Sequence, residues 1–257
     1  MRKILVAENL EMVYQSSGGV PVHALRGVTL EVEEGEFLSL LGPSGCGKTT
    51  TLKIIAGLIQ PTSGDVLVDG SPVRGPGPDR ALVFQDFALM PWATVLRNAA
   101  FGLELRGVPR KEREATARGY IAKMNLTGFE DSYPHQLSGG MRQRVGLARA
   151  LAVDADILLM DEPFASVDEQ IRRKFQEDLL ELLSDEHKTV VFVTHSIEEA
   201  VYVSDQVVIM SRGPGRVSNV VRPGIDREGG SDRIRRSPGY LDWVERIWVE
   251  LRDYLEK

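Results

Sequence analysis

Phe37-Leu38-Ser39-Leu40-Leu41-Gly42-Pro43-Ser44-Gly45-Cys46-Gly47-Lys48-Thr49 is the stretch that decides the architecture. Its first five residues form an apolar run of strand length, and Lys48 to Gly57 carries a helical pattern. Between them, Gly42, Gly45 and Gly47 punctuate a tight turn. The residues fit G-x-x-x-x-G-K-[ST], in which glycines let backbone N–H groups curl around a phosphate. The start of the helix adds positive dipole. Lys48 would neutralise the β- and γ-phosphates, and the Thr49 hydroxyl would hold Mg²⁺. A glycine turn that merely caps a helix is the plain alternative, and the strand and helix on either side weigh against it.

Apolar strand-like runs alternate with helical patterns on both sides of this loop, which predicts an α/β fold with parallel pairing. Leu82 to Phe84, Ile157 to Met160, Val190 to Val193 and Val207 to Met210 read as short core strands. Gly64 to Asp69 with Gly70 reads as a hairpin arm, placing an antiparallel patch near the N-terminus. Residues 86–152 differ, with helical stretches at Arg110 to Met124 and Met141 to Val153, and read as a helical insertion. From Arg222 to Arg236, Gly, Pro and charge predict a mobile or irregular connector. An amphipathic helix over about 239–256 ends the chain. Tyr240, Leu241, Val244, Ile247, Trp248, Leu251, Tyr254 and Leu255 share its apolar face. Packing against the rest of the fold is the simpler use of that face, and a regulatory or dimer contact the sharper one. Arg233, Arg235 and Arg236 read as a solvated cluster, with a contact to anionic lipid as the alternative.

Ile157-Leu158-Leu159-Met160-Asp161-Glu162 runs from apolar residues into two acids. An acid at the carboxyl end of a buried strand sits where ligands bind in such sheets. Asp161 can anchor Mg²⁺, directly or through water. Glu162, expected on the opposite side of the pleat, can polarise an attacking water. Val190 to Thr194 delivers His195 at the end of another strand. Together with the phosphate loop, these residues describe a nucleoside triphosphate hydrolase.

Leu137-Ser138-Gly139-Gly140-Met141-Arg142-Gln143-Arg144 is a second anion site by the same physics, a Ser and two Gly opening a helix. Ser138 is also simply a good N-cap. The octamer, with its spacing and order, resembles the signature of the ATP-binding-cassette ATPases, and the resemblance covers about residues 4–220. It implies an α/β fold, a P-loop NTPase core with mixed sheet, an N-terminal antiparallel β subdomain and an inserted α-helical subdomain. The ATPase domain is expected over 1–220, with the helical subdomain at about 86–152 and a C-terminal extension over 221–257.

The resemblance further implies that two copies pack head to tail, each ATP lying between the phosphate loop of one and the signature of the other. Gly42, Pro43, Ser44, Gly45, Cys46, Gly47, Lys48, Thr49 and Thr50 would cradle the phosphates. Ser138, Gly139 and Gly140 would approach the γ-phosphate held by the partner. Tyr14 would stack on adenine; an ordinary strand aromatic is the alternative. Gln85 matches the loop glutamine that senses Mg²⁺ and the attacking water. Asp168, in Ala165-Ser166-Val167-Asp168, matches the loop that crosses to the partner, with Val167 in place of the usual leucine. His195 corresponds to the switch histidine and Glu162 to the general base. A Cys46 thiol beside the phosphates would make ATP protect the enzyme from alkylating reagents.

With 31 Lys+Arg against 37 Asp+Glu the formal net charge is −6, a poor balance for a general polyanion binder. No apolar run approaches the ~20 residues of a membrane span. The charged first eight residues lack the apolar core of a secretion signal, and one cysteine suits a reducing compartment. A transporter cassette of this kind needs a permease partner. Asp86 to Val95, with Phe87, Leu89, Met90 and Trp92, is where the family accepts a short helix of the membrane subunit; core packing of the helical insertion is the alternative for any one of these residues. The same residues, with His195 to Ala200 and Met210 to Val217, resemble importer cassettes for nitrate, sulfonate, taurine, bicarbonate and similar solutes, and thiamine-precursor importers share much of them. Such a system also uses a substrate-binding protein, and the cassette sits peripherally on the cytoplasmic face of the cell membrane. Lipid-transport cassettes are the nearer rival. DNA-repair and translation cassettes fit less well: the two motifs are not split by a coiled coil, and only one motif set is present.

Overall fold

The computed structural model describes residues 2–15, 19–164, 169–227 and 230–255. The chain divides into two compact units, Met1–Gly77 with Leu183–Lys257, and Pro78–Leu182. No helix among the described residues is long and apolar enough to cross a membrane.

In the first unit, β1 (Lys3–Gln15), β2 (Pro21–Glu33), β4 (Ser63–Val68) and β5 (Ser71–Pro72) form an antiparallel sheet in the order β2-β1-β4-β5. β1 and β2 are long strands whose pairing shifts register at several points, one of them near Asn9, which has φ 48°. The core sheet of this unit is mixed. β3 (Phe37–Leu41) pairs in parallel with β8 (Thr189–Thr194) and with β9 (Gln206–Ser211), and β10 (Arg216–Val221) runs antiparallel to β9. Every residue of β3 and β8 is buried, which is why both read as apolar runs rather than alternating patterns. α1 (Lys48–Ile55) follows the phosphate loop, and α6 (Ile197–Val203) follows β8.

The second unit holds the parallel pair β6 (Arg80–Val83) and β7 (Ile157–Asp161). With them are α2 (Val95–Leu105), α3 (Arg110–Lys123), α4 (Gly139–Ala152) and most of α5 (Glu169–Asp185). α4 buries Val145, Leu147, Ala148 and Leu151. The mixed α/β architecture and the N-terminal antiparallel sheet are as the sequence predicts.

The C-terminal segment departs from expectation. The stretch read as an irregular connector contains a short helix, α7 (Ser231–Arg235), ahead of α8 (Pro238–Leu255). Arg235 is not solvated with its neighbours: its guanidinium lies 4.3 Å from the Tyr202 ring centre. Tyr240, Ile247 and Leu251 are buried, so the simpler packing use of α8 holds for them. The side chains of Tyr254 and Leu255 lie outside the described ones.

Candidate functional site

Parallel pairing places the candidate residues of the first unit. Leu41, the last residue of β3, lies opposite Thr194, the last of β8. Two parallel strands that end level send their following residues out of the same sheet edge. The phosphate loop from Gly42 and the residue His195 therefore emerge side by side, and both line one cavity. A hydrogen-bonded turn holds His195 in place. Thr194 Oγ1 donates to the buried Glu199 carboxylate at 2.7 Å and accepts from the Ser196 amide at 3.0 Å, while Ser196 Oγ caps α6 through the Glu199 amide. The His195 side chain itself is exposed.

The loop is shaped by what backs it. Gly47 has φ 94°, and a Cβ there would lie 2.4 Å from Leu25 Cδ2 and 3.0 Å from the Ala24 carbonyl. Glycine is required on both counts. β2 thus runs directly behind the loop, and the β1–β2 register sets Tyr14 opposite Val22, a short step along the same strand. Tyr14 is partly exposed there. Lys48 is only 5 % exposed, and its Nζ donates to the Gly42 carbonyl at 2.7 Å and the Pro43 carbonyl at 3.1 Å. The ammonium spans the loop, and phosphate oxygens can take over those carbonyl positions. No side chain caps the N-terminus of α1, which suits an anion at its first-turn amides. Pro43, Ser44 and Gly45 form the outer rim, and Thr49 and Thr50 sit half-buried in the first turn of α1.

The placing of the Cys46 thiol decides whether an alkylating reagent can reach it. Cys46 is buried, and a Cβ at Gly42 would lie 2.8 Å from its sulfur. The thiol therefore packs on the inside of the loop. Burial pushes its pKa up, against the opposing pull of the Lys48 ammonium. A protonated, enclosed thiol is a poor target for alkylation.

Gly215 lies in the Met210 to Val217 stretch, to which the sequence gives only a resemblance to importer cassettes. Its amide donates to the Ala24 carbonyl and its carbonyl accepts from the Arg26 amide, both at 2.9 Å. A Cβ on it would fall 2.0 Å from the Cys46 carbonyl oxygen. It wedges the phosphate loop from behind, and no local spacing signals this.

The second unit repeats the strand-end logic. Val83 lies opposite Met160 in the parallel β6–β7 pair. Gln85 and Glu162, each two residues further on, leave that edge together, with Asp161 as the last residue of β7. Glu162 is not aimed by the pleat, as the sequence predicted. The strand ends before it, and its φ of 45° puts it in a left-handed conformation that is costly for a non-glycine residue and concentrates at functional sites. Ser138 caps α4 by accepting from the Met141 amide at 3.3 Å, so the N-cap reading of Ser138 is correct in itself. Gly139 opens the helix, half-buried. A Cβ at Gly140 would meet nothing within 4 Å, so nothing in its surroundings requires a glycine there. Asp168, with Ala165, Ser166 and Val167, lies outside the described residues.

Hard oxygen donors only are offered by Thr49, Asp161 and Gln85: a hydroxyl, a carboxylate and a carboxamide. That set fits Mg²⁺. Thr49 belongs to the first unit, and Asp161 and Gln85 to the second.

The segment after Gln85 divides between packing and exposure. Phe87 is 7 % exposed and faces Gly146 of α4, where a Cβ would sit 3.6 Å from its own. It is a packing residue, not part of an exposed apolar patch. Leu89 and Met90 are half-buried, and Trp92 stands out at 72 % exposure. Phe87 and Ala88 both have positive φ, 63° and 42°. Arg149 on α4 secures this kink, donating to the Phe87 carbonyl at 2.6 Å and the Ala88 carbonyl at 2.7 Å. Burial lowers the Arg149 pKa. Asn98 locks the following turn, accepting from the Met90 amide at 2.9 Å and donating to the Ala93 carbonyl at 3.0 Å. Arg149→Ala is expected to cost about 2–3 kcal/mol, the scale of charge-assisted hydrogen bonds lost from a strained turn. Denaturant unfolding checks this, and an unchanged midpoint would count against the clamp.

Known proteins resemble this chain in sequence and in fold. The ABC transporter family profile matches residues 25–165. An uncharacterized ABC transporter ATP-binding protein of Methanocaldococcus jannaschii is 51% identical over all of this chain and 94% of its own length. The taurine import ATP-binding protein of Chromobacterium violaceum is 47% identical over 89% of each chain. The solved dimeric structure of a post-hydrolysis state of the ATP-binding cassette MJ0796, bound to ADP and Pi, superposes with TM-score 0.76. It is 33% identical, covering 85% of this chain and 98% of that one. With phosphate loop, signature helix and strand-end acids in the family's order, the chain belongs to the ABC transporter family as one of its ATP-binding, ATP-hydrolysing subunits.

Proposed function

We propose that this chain is the head-to-tail dimeric ATPase that powers an importer for a small solute of the nitrate, sulfonate, taurine or bicarbonate kind. The observation that carries the reading is the pairing, in one chain, of a phosphate loop threaded by buried Lys48 with a second anion-ready helix start that leaves Gly140 open. The two anion sites make sense if each serves a nucleotide shared with another copy. ATP then lies on residues 42–50 with adenine on Tyr14, and the γ-phosphate is covered by Ser138, Gly139 and Gly140 of the partner subunit. Asp168 serves the crossing between copies.

Thr49, Asp161 and Gln85 would hold Mg²⁺, which would supply charge neutralisation on the phosphates. Glu162 accepts the proton of the attacking water as its oxygen bonds to the γ-phosphorus. The bond from that phosphorus to the β–γ bridging oxygen breaks, and ADP leaves. Gln85 orients the water, and His195 donates to the γ-phosphate. Closure on ATP and reopening after hydrolysis follow, because the two anion sites attract one another only through the polyphosphate.

The ATPase domain is assigned to 1–220, with its helical subdomain at about 86–152 and an extension over 221–257. Segment 86–95 receives the permease, which keeps the chain at the cytoplasmic face of the membrane, and a substrate-binding protein delivers the cargo. Trp92→Asp is expected to cut permease recovered by co-purification at least about tenfold, the scale of a lost aromatic anchor. Full recovery would move the docking site elsewhere. The test of the whole reading is ATPase activity of the reconstituted complex with cargo-loaded binding protein. Stimulation by one of these solutes is expected, and ATP hydrolysis that none of them stimulates would refute the importer assignment.

A further inference from the structure

A cavity of about 490 Å³ opens beside the phosphate loop, lined by Gly42, Ser44, His195 and Arg212 together with Trp248 and Leu251 of the C-terminal helix. The C-terminal helix thus reaches the rim of the nucleotide loop. It is held there firmly. Ile247 and Leu251 are buried, and Tyr240 Oη donates to the Glu198 carbonyl at 3.1 Å. Arg235, stacked on Tyr202, reaches Ser231 Oγ at 3.0 Å and Tyr240 Oη at 3.2 Å. Tyr202 and Glu198 belong to α6, which starts just after His195. The extension is therefore anchored to the helix that carries on from the switch histidine.

Trp248 nevertheless stays 47 % exposed, and Leu241, seven residues earlier and so on the same stripe of α8, is 53 % exposed. Arg252 stacks over the Trp248 ring at 5.4 Å, and the residue keeps its exposure despite that cover. A large apolar group kept at the surface by a well-anchored helix marks a contact.

We propose that Leu241 and Trp248 meet a second copy of this chain in the ATP-closed dimer, so that the C-terminal extension widens the interface begun at the phosphate loop. This rests on the head-to-tail reading above. The second copy is the occupant because Trp248 and the phosphate loop wall one hollow. In that reading Ser138–Gly140 of the partner subunit must come down over the same loop. Two-fold symmetry makes the contact occur twice per dimer, and tryptophan at the edge of an apolar hollow is the residue type that dominates such interfaces.

The test uses full-length Glu162→Gln protein as parent, with Trp248→Ala and Trp248→Phe added to it, followed by sedimentation velocity with saturating ATP. The expected result is an ATP-dependent parent dimer, weakened at least about tenfold by Trp248→Ala and largely restored by Trp248→Phe. Thermal unfolding of the monomers should change little, since the side chain is half-exposed. Equal dimerisation of parent and Trp248→Ala would overturn the inference and leave the head-to-tail reading standing. Tighter dimerisation of Trp248→Ala would do the same, making α8 an obstruction instead. An effect confined to ATP affinity of the monomer would mark the cavity as a small-molecule site and also overturn it. A parent that stays monomeric with ATP overturns the head-to-tail reading and this inference with it.

Discussion

Glu162→Gln protein is expected to hydrolyse ATP about 10²–10⁴-fold more slowly than the natural chain, the usual worth of a positioned general base. The carboxamide is isosteric with the carboxylate and keeps a hydrogen-bonding oxygen, but it does not accept the proton released as water attacks phosphorus. ATP binding, carried by the phosphate loop, should survive, and the nucleotide-closed dimer should accumulate because the step that removes the γ-phosphate is blocked. The left-handed backbone at Glu162 (φ 45°) strengthens the expectation. A residue held in a costly conformation at a strand end has its carboxyl aimed by the backbone, so shortening it to Asp should also fail to restore the rate. Phosphate release under single-turnover conditions measures the step directly. Turnover of Glu162→Gln at the natural rate would remove Glu162 from the role of base.

Gly215→Ala is expected to weaken ATP binding and to lower stability together. The added Cβ would sit 2.0 Å from the Cys46 carbonyl oxygen and 3.1 Å from the Ala24 carbonyl oxygen. Both neighbours are backbone, so neither can swing aside as a side chain would. Either β2 and the 213–215 turn retreat, losing the Gly215–Ala24 and Arg26–Gly215 hydrogen bonds, or the phosphate loop is displaced. Overpacking of this sort costs about 1–3 kcal/mol. A displaced loop misdirects the amides that hold phosphate, and a loss of ATP affinity of about 10–100-fold corresponds to the same energy. Nucleotide titration and thermal unfolding with and without ATP check both arms. Unchanged affinity with lowered stability would make Gly215 a packing residue only.

Much of the fold was legible because it is written in short-range patterns. β3, β8 and β9 are apolar runs because both faces are covered. α3 and α4 announce themselves by helical spacing, with Ser138 as a visible cap. The phosphate loop is a local object, since Gly42 to Lys48 close on themselves. β1 and β2 were harder to see. Their ladder shifts register several times, and each shift breaks the two-residue alternation on which strand recognition depends. α7 was hidden because five residues of mixed charge carry no periodicity of their own. Phe87 looked like surface because it lies among Leu89, Met90 and Trp92, yet Arg149 and Gly146 on α4 turn it inward.

The sequence was enough to specify an ATP-binding cassette. Loop, signature and strand-end acids each need only a few neighbouring residues, whose chemistry and spacing suffice to define an anion site or a metal-ready carboxylate. The fold was needed to show how these pieces are held. Level endings of parallel strands bring His195 beside Gly42, and Glu162 beside Gln85. A glycine far along the chain wedges the phosphate loop from behind, Arg149 clamps the kink after Gln85, and α8 carries Trp248 to a cavity beside that loop. Such approaches depend on which distant backbones meet at van der Waals distance, and residue spacing along the chain does not encode that.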